Sequence, residues 1–385
     1  MERIGAAVVG GGAVGAAVAW QLAEAGVADV FLLEKNPTLG EEQSGRSSGV
    51  VHAGIYYAEG SLKARLCPVA NARMYELCAA HGVPCERTGK LVVAPAKEDL
   101  ASLEEVRRRA TAAGVPGLEM LGRAAVSKLE PSLSAEAALL VPTTGIVDAA
   151  ALVHALTRLA GEKGASVLTG FEVVGLAARG GAFEVTGRRG DGREEVFEAD
   201  LLVNAAGLRC DLVGRMLEPG LDARVVPMRG EYVKVRRTRR KELWLTGRNV
   251  YPAPEPLDLD GERITVVGAH LTPTFAWSAA GPVPGDEFTV GPEFVLAPGR
   301  YDYDTGRLPA SHIVARAARY YPGLTTDDVE PDYAGIMVHL AGATDWVLRR
   351  PEGLAGCVQL LGIDSPGLTC CVEIAREVRR LLVGS

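Results

Sequence analysis

The sequence predicts a chain of the α/β class in which a parallel sheet with helices is interleaved with a second, antiparallel sheet. Near the start, the apolar run 4–9 precedes a glycine turn, a helix pattern over 13–25 and a second apolar run at 28–33. This order predicts a βαβ unit. Residues 225–305 change to short strand patterns rich in proline, and a strand at 357–362 with a helix at 368–382 returns to the first pattern.

The elements between these segments follow from the same periodicities. Helix patterns cover 61–81, 97–113, 149–163 and 311–321, and strand patterns cover 89–94 and 165–178. Residues 183–207 predict a hairpin that returns to a buried strand at 200–205. We therefore expect two domains that alternate along the chain: a nucleotide-binding domain of residues 1–85, 145–222 and 330–385, and a second domain of residues 86–144 and 223–329.

Composition narrows the functional class. The 385 residues are 48% hydrophobic and 23% charged, with a formal net charge of −7. This balance is typical of a globular protein and argues against nucleic acid as a partner. The uncharged, largely apolar run at 4–23 has its glycines where a phosphate-binding loop needs them, and no other run reaches the length of about 18 residues that a membrane span needs. Seven cysteines without a CxxC pair or a metal-ligand spacing predict reduced thiols, a cytoplasmic location and no metal site.

The glycine turn has the pattern of a phosphate-binding loop. Gly10, Gly12 and Gly15 match GxGxxG between a predicted strand and a predicted helix, and Glu34 ends the second strand. The glycines allow a tight turn and a close approach of the backbone to a diphosphate, and the helix N-terminus favours the anion. A carboxylate at Glu34 can accept hydrogen bonds from ribose hydroxyls and disfavours a 2′-phosphate. The sequence thus predicts a Rossmann-like site for an adenine dinucleotide other than NADP.

A second segment and several later motifs carry a resemblance to a known family. Residues 43–57 read QSGRSSGVVHAGIYY, and GSLKARLC, GKLVVA, TGIVD, NAAG, RGEYV, VYPAP and GIDSPGLT follow in that order. The sequence resembles the L-2-hydroxyglutarate dehydrogenase/oxidase family, within the class of glycine oxidase, D-amino-acid oxidase and glycerol-3-phosphate dehydrogenase. The match runs nearly from end to end.

This resemblance implies a discontinuous FAD-binding domain, a substrate domain on an antiparallel sheet and FAD held without a covalent bond. It also implies hydride transfer to flavin N5 from a carbon that bears a hydroxyl and a carboxylate. The implied FAD contacts lie in the glycine loop, the strand that follows it, the hydroxyl-rich loop and four later segments: Gly10, Gly12, Ala13, Val14, Gly15, Glu34, Lys35, Ser44, Arg46, Ser47, Ser48, Gly49, Val173, Ala206, Gly207, Gly335, Ile336, Gly367, Leu368 and Thr369.

A histidine is the expected base for the hydroxyl proton, because its ordinary pKa lies near neutral pH. His270, at the end of a predicted strand in the substrate domain, is the first candidate. His52, in the hydroxyl-rich loop, is the second, as a flavin or substrate contact. His339, beside a predicted flavin segment, is a weaker third.

An anionic substrate also needs hydrogen-bond donors on the protein. Arg229 can clamp a carboxylate with two parallel hydrogen bonds, or it can form an ion pair with Glu231. Tyr251 and Tyr56 can donate hydrogen bonds from apolar walls. One position departs from the family: Met337 stands where relatives usually have an arginine, so the pocket is open to a substrate other than 2-hydroxyglutarate. Residues 276–287 resemble an insertion that forms a lid or rim loop.

The rival functions are an amino-acid or amine oxidase, a glycerol-3-phosphate dehydrogenase and a flavin-bound subunit without turnover. The electron acceptor, whether oxygen, a quinone or a protein, is left open. The basic run 236–241 (RRTRRK) has two interpretations. It is either a peripheral contact with anionic lipid at the inner face of a membrane or a solvated hairpin tip, and we favour the hairpin tip.

Overall fold

The computed structural model describes residues 2–243, 245–259, 261–278 and 281–384. Its helices, in chain order, are α1 (Ala13–Glu24), α2 (Leu62–His81), α3 (Leu100–Ala112), α4 (Arg123–Leu129), α5 (Ala149–Glu162), α6 (Cys210–Leu217), α7 (Ala310–Ala317) and α8 (Gly367–Val383). Its strands are β1 (Arg3–Val9), β2 (Val30–Leu33), β3 (Val50–Val51), β4 (Cys85–Glu86), β5 (Lys90–Ala94), β6 (Glu119–Gly122), β7 (Ala137–Val141), β8 (Gly145–Val147), β9 (Ser166–Leu168), β10 (Phe171–Arg179), β11 (Ala182–Arg189), β12 (Glu194–Asn204), β13 (Val225–Arg236), β14 (Asn249–Pro252), β15 (Glu255–Leu259), β16 (Glu262–Val266), β17 (His270–Ser278), β18 (Gly281–Leu296), β19 (Val329–Leu340), β20 (Val347–Arg349) and β21 (Cys357–Leu361).

The chain divides into two compact units that alternate along the sequence. Unit 1 comprises Met1–Ser47, Ala149–Pro227 and Met337–Ser385, and unit 2 comprises Ser48–Asp148 and Met228–Ile336. Unit 2 begins at Ser48 rather than at residue 86 because β3 and β4 both pair with β8 in one small sheet. Residues 48–85 therefore belong with unit 2, whereas the sequence had assigned them to the nucleotide-binding domain.

Unit 1 is built on a mixed sheet in the order β10-β11-β12-β1-β2-β9, with β21 beside β12. β1 pairs in parallel with β2 and with β12, which confirms the predicted βαβ unit. Between β1 and β2, α1 buries a run of small apolar side chains and packs against α5 and α8. Small side chains allow helices to approach closely, so α1 is covered on several sides.

Unit 2 is built on the sheet β19-β13-β18-β17-β14-β5-β7-β6. Its pairings are mostly antiparallel, as predicted for the second sheet, but β14 runs parallel to β5. One apolar core includes Leu91, Val250, Leu271 and Phe288, and a second includes Val92, Leu103 and Val141. Adjacent residues of β5 thus enter different cores, as the alternation of a strand requires.

Three sequence expectations are wrong in detail. The strand predicted at 165–178 is split by Gly170, which has a φ of +63°, into β9 and β10. The helix predicted at 311–321 ends at Ala317, and Tyr320 N and Tyr321 N each donate to Ala317 O in the turns that follow. The predicted loop at 276–287 is the end of the β17–β18 hairpin, in which Ser278 pairs with Gly281, and its tip at 279–280 lies outside the described residues.

Candidate active site

The glycine turn of unit 1 is shaped so that side chains are excluded from it. Gly10 has a φ of +112°, a region that favours glycine, and a Cβ there would lie 2.4 Å from Ala205 O. A Cβ on Gly15 would lie 1.8 Å from Gly10 O. Glycine at these two positions lets the start of α1 sit directly against the turn, as a phosphate-binding loop requires.

The N-terminus of α1 is open to an anion. Gly12 is the N-cap residue and supplies no side-chain cap. The Ala13 N–H donates to Ser44 Oγ at 3.0 Å, which brings the hydroxyl-rich loop to the helix tip. The positive end of the helix dipole therefore faces a hydroxyl and a glycine backbone.

Glu34 closes the other side of this cleft at the end of β2. Its carboxylate is buried and accepts hydrogen bonds from Gly11 N at 2.7 Å and Asn36 N at 2.8 Å. Burial raises the pKa of Glu34, and the two backbone N–H groups oppose that rise. A carboxylate has about four acceptor positions, so lone pairs are left for two ribose hydroxyls. The cradle without Cβ atoms, the N-terminus of α1 and this carboxylate fit the adenosine diphosphate half of FAD.

The cleft gathers ten of the predicted cofactor residues: Gly10, Gly12, Val14, Gly15, Glu34, Lys35, Ser44, Val173, Ala206 and Gly207. Other predicted residues of unit 1 lie outside its lining: Ala13, Arg46, Ser47, Gly367, Leu368 and Thr369. Four more belong to unit 2: Ser48, Gly49, Gly335 and Ile336. The predicted set is thus divided between the two units.

Gln43 also lines the cleft, and the sequence analysis missed it. Its amide donates to Ile363 O at 2.7 Å and accepts from Val338 N at 3.0 Å. One side chain therefore joins the loop before Ser44 to two distant segments of unit 1. A single glutamine beside a motif carries no sequence signal for this role.

In unit 2, five side chains form what we call the Lys90 cluster: His52, Tyr56, Lys90, Tyr251 and His270. The strands β5, β14 and β17 supply its central members, and β14 lies between the other two. The Tyr251 and His270 rings stack with centroids 3.9 Å apart and planes 8° apart. Lys90 Nζ lies 3.5 Å from the centroid of the Tyr251 ring and 5.4 Å from that of Tyr56.

The electrostatics of this cluster keep its histidines neutral. Burial, and then the positive charge of Lys90, hold the pKa of His270 and of His52 well below 6.5. Burial raises the pKa of Tyr56 and Tyr251, so both phenols stay protonated. His270 Nδ1 lies 2.9 Å from Thr272 Oγ1, which orients the ring. A neutral, oriented imidazole is able to accept a proton at neutral pH.

The other candidates for base and clamp lie elsewhere. His339 is buried in the part of β19 that belongs to unit 1. Arg229 is fully buried and pairs with Glu231 at 2.8 Å. It also donates to the carbonyl oxygens of Thr305 and Gly306. Arg229 therefore forms the ion pair that the sequence analysis gave as the alternative. The predicted carboxylate clamp is wrong, because these partners occupy the hydrogen-bond donors of the guanidinium.

Comparisons with known proteins identify the family of the chain. A family model described as FAD dependent oxidoreductase (DAO) matches residues 6–381. The mitochondrial L-2-hydroxyglutarate dehydrogenase of Caenorhabditis elegans is 34% identical over 309 residues, which are 80% of this chain and 67% of that protein. The human enzyme of the same name is 33% identical over 307 residues, 77% of this chain and 62% of that protein. The matched part thus spans about two thirds of the length of these relatives.

A solved structure agrees on the fold. FAD-bound L-α-glycerophosphate oxidase from Mycoplasma pneumoniae superposes with a TM-score of 0.84, covering 99% of this chain and 95% of that one at 24% identity. At this identity the likeness concerns the fold alone. It agrees with the predicted α/β class.

Proposed function

The chain belongs to the DAO family of FAD dependent oxidoreductases, and from that premise we propose that it oxidises a small 2-hydroxy acid similar to L-2-hydroxyglutarate. The observation that carries this proposal is the buried, neutral His270, which stacks on Tyr251 and is oriented by Thr272. Oxidation of an alcohol requires loss of the hydroxyl proton, and a neutral imidazole is suited to accept it. The names of the two relatives support the substrate class.

In this proposal the two units have separate tasks. Unit 1 binds FAD, with the turn from Gly10 to Gly15 around the diphosphate and Glu34 on the ribose. Bound FAD supplies the hydride acceptor. Unit 2 binds the hydroxy acid, and His270 takes its hydroxyl proton, with His52 as a further contact. Tyr56 and Tyr251 stay protonated and donate hydrogen bonds.

The test is an anaerobic substrate screen on the purified FAD protein, read as loss of the visible absorbance of the oxidised flavin. The panel contains 2-hydroxy acids, the matching amino acids and glycerol 3-phosphate. We expect 2-hydroxy acids, and L-2-hydroxyglutarate first, to bleach the flavin. Bleaching by amino acids alone would replace the proposal with an amino-acid oxidase. No bleaching by any member would favour a flavin-binding subunit without turnover.

The reaction requires a small substrate and an electron acceptor, and we leave oxygen, quinone and protein acceptors open. No described helix is long and apolar enough to cross a membrane. The basic run 236–241 is offset by acids: Arg239 pairs with Glu330 at 2.6 Å, and Arg240 with Asp328 at 3.3 Å. These ion pairs favour a solvated segment over a lipid contact. The segment is not a hairpin tip, because the strands on either side of it, β13 and β14, are separated in the sheet by β17 and β18.

A further inference from the structure

Lys90 is a buried cation without a counter-ion. It is 1% exposed at the start of β5, and its Nζ atom has no carboxylate within ion-pair distance among the residues that the structure describes. Its close neighbours are the faces of the Tyr251 and Tyr56 rings. Cation–π contacts return only part of what an ammonium loses on leaving water.

The groups around Lys90 do not supply the missing negative charge. His52 and His270 are neutral, and their own pKa values are lowered by Lys90. Among the titratable groups, only Cys67 favours the charged form of the lysine. Burial consequently lowers the pKa of Lys90 to about 7.

Hydrogen-bond donors in the same cluster are also unused. The hydroxyl of Tyr56 is buried and has no hydrogen-bond partner among the described residues. The hydroxyl of Tyr251 is buried beside that of Thr272, which is also bonded to His270 Nδ1. The Tyr56 phenol and the Lys90 ammonium can together donate several hydrogen bonds, and both lack an acceptor. A carboxylate has the charge and the acceptor oxygens that this cluster lacks.

We propose that Lys90 is the residue of unit 2 that binds a carboxylate of the substrate. This inference rests on the proposed function, because it names the cation that a 2-hydroxy acid meets beside His270. The hydroxyls of Tyr56 and Tyr251 supply further donors in the cluster. The bound carboxylate provides the counter-charge that the protein itself does not.

The proposal predicts that binding of the carboxylate is coupled to the uptake of a proton by Lys90. A carboxylate beside Lys90 favours the ammonium, so a lysine that is partly neutral in the free protein takes up a proton when the ligand binds. Above the pKa of about 7, the affinity should fall about tenfold for each pH unit. The pKa values of His52 and His270 lie well below 6.5 and those of Tyr56 and Tyr251 are raised by burial, so these neighbours do not titrate near neutrality. An arginine variant of Lys90, which stays charged, is the reference for the pH dependence.

The experiment measures the binding of 2-oxoglutarate, a dicarboxylate that cannot reduce the flavin, to the oxidised FAD protein. The perturbation of the flavin spectrum gives the dissociation constant between about pH 6 and pH 9. We expect the wild-type constant to rise with pH as described. Lys90→Met should weaken binding by about a hundredfold or more and remove the slope. Lys90→Arg, charged at every pH tested, should bind without the slope.

Lys128→Met is the matched control, since Lys128 is exposed on α4, and it should behave as wild type. Wild-type affinity in Lys90→Met, a slope that persists in Lys90→Arg, or absence of 2-oxoglutarate binding to the wild type would each overturn the inference. If Lys90→Met does not retain FAD, the pH dependence of binding to Lys90→Arg tests the inference on its own. Failure of the proposed function has a different signature, namely wild-type protein that binds 2-oxoglutarate but is bleached by no hydroxy acid.

Discussion

The two candidate sites of this chain are built in opposite ways. In unit 1, the FAD cleft depends on backbone: glycines without Cβ atoms, a helix tip and one carboxylate within 25 residues of one another in sequence. In unit 2, the Lys90 cluster depends on side chains from separate strands, and burial sets their protonation. A contiguous backbone site can be recognised in a sequence, whereas a dispersed site gains its chemistry only when the chain folds.

The largest effect is expected from a substitution that disrupts the FAD cleft of unit 1. In Gly15→Val, the new Cβ would lie 1.8 Å from Gly10 O, so the turn and the helix tip must separate. We expect the protein to be purified without FAD, measured as the ratio of visible to ultraviolet absorbance, with secondary structure checked by circular dichroism.

Gly161→Ala is the control in the same unit, because no atom lies within 4 Å of a Cβ at that position. It should retain FAD. A Gly15→Val protein with the full FAD content would contradict the assignment of the cleft.

The next effect concerns the base of unit 2. His270→Asn should slow the limiting rate of flavin reduction by about a hundredfold or more, the usual contribution of a general base. Because burial lowers the pKa of His270 well below 6.5, the wild-type rate should hold at neutral pH. It should decline only as the pH falls through that lowered value and the imidazole gains a proton. Stopped-flow reduction under anaerobic conditions measures both, and an unchanged limiting rate in His270→Asn would remove this residue from the role.

A smaller effect is expected at Arg229, where a substitution should change the stability of the protein and leave substrate binding unchanged. Arg229→Met leaves Glu231 buried with only part of its partners, and breaking such a pair costs about 3–5 kcal/mol. Urea denaturation should show that loss, while the substrate KM of the folded protein stays near the wild-type value. Arg193→Met, which breaks an exposed pair with Asp191, should change stability little. Unchanged stability together with a raised KM would restore Arg229 as a carboxylate clamp.

The smallest effect is expected at the basic run 236–241. Since Arg236, Arg239 and Arg240 already have acidic partners, anionic vesicles should sediment no more protein than neutral vesicles at moderate salt. Selective sedimentation with the anionic vesicles, lost in an Arg239→Glu variant, would support the membrane contact instead.

The sequence predicted unit 1 better than unit 2 for physical reasons. The βαβ unit and the glycine turn follow from local periodicity and conformation, and Glu34 follows from its position at a strand end. Lys90 was missed because a lysine at the start of a strand is normally exposed. Arg229 was misplaced as a clamp because sequence does not reveal that Thr305 and Gly306 carbonyls occupy its guanidinium.

The boundary at Ser48 was missed for a related reason. It depends on the pairing of the two-residue strands β3 and β4 with β8, which lies nearly a hundred positions after β3. Such short strands have no periodicity of their own. His270 and Tyr251 were singled out individually, but their proximity to Lys90 depends on the register of β5, β14 and β17.

The most direct test of the roles proposed for His270 and Lys90 is the single-turnover reduction of the flavin, measured at a series of L-2-hydroxyglutarate concentrations. It compares the wild type, His270→Asn and Lys90→Met. The account predicts that the His270 change lowers the limiting rate with little effect on the half-saturating concentration. The Lys90 change should mainly raise the half-saturating concentration. Both variants reducing at the wild-type rate with wild-type saturation would contradict it.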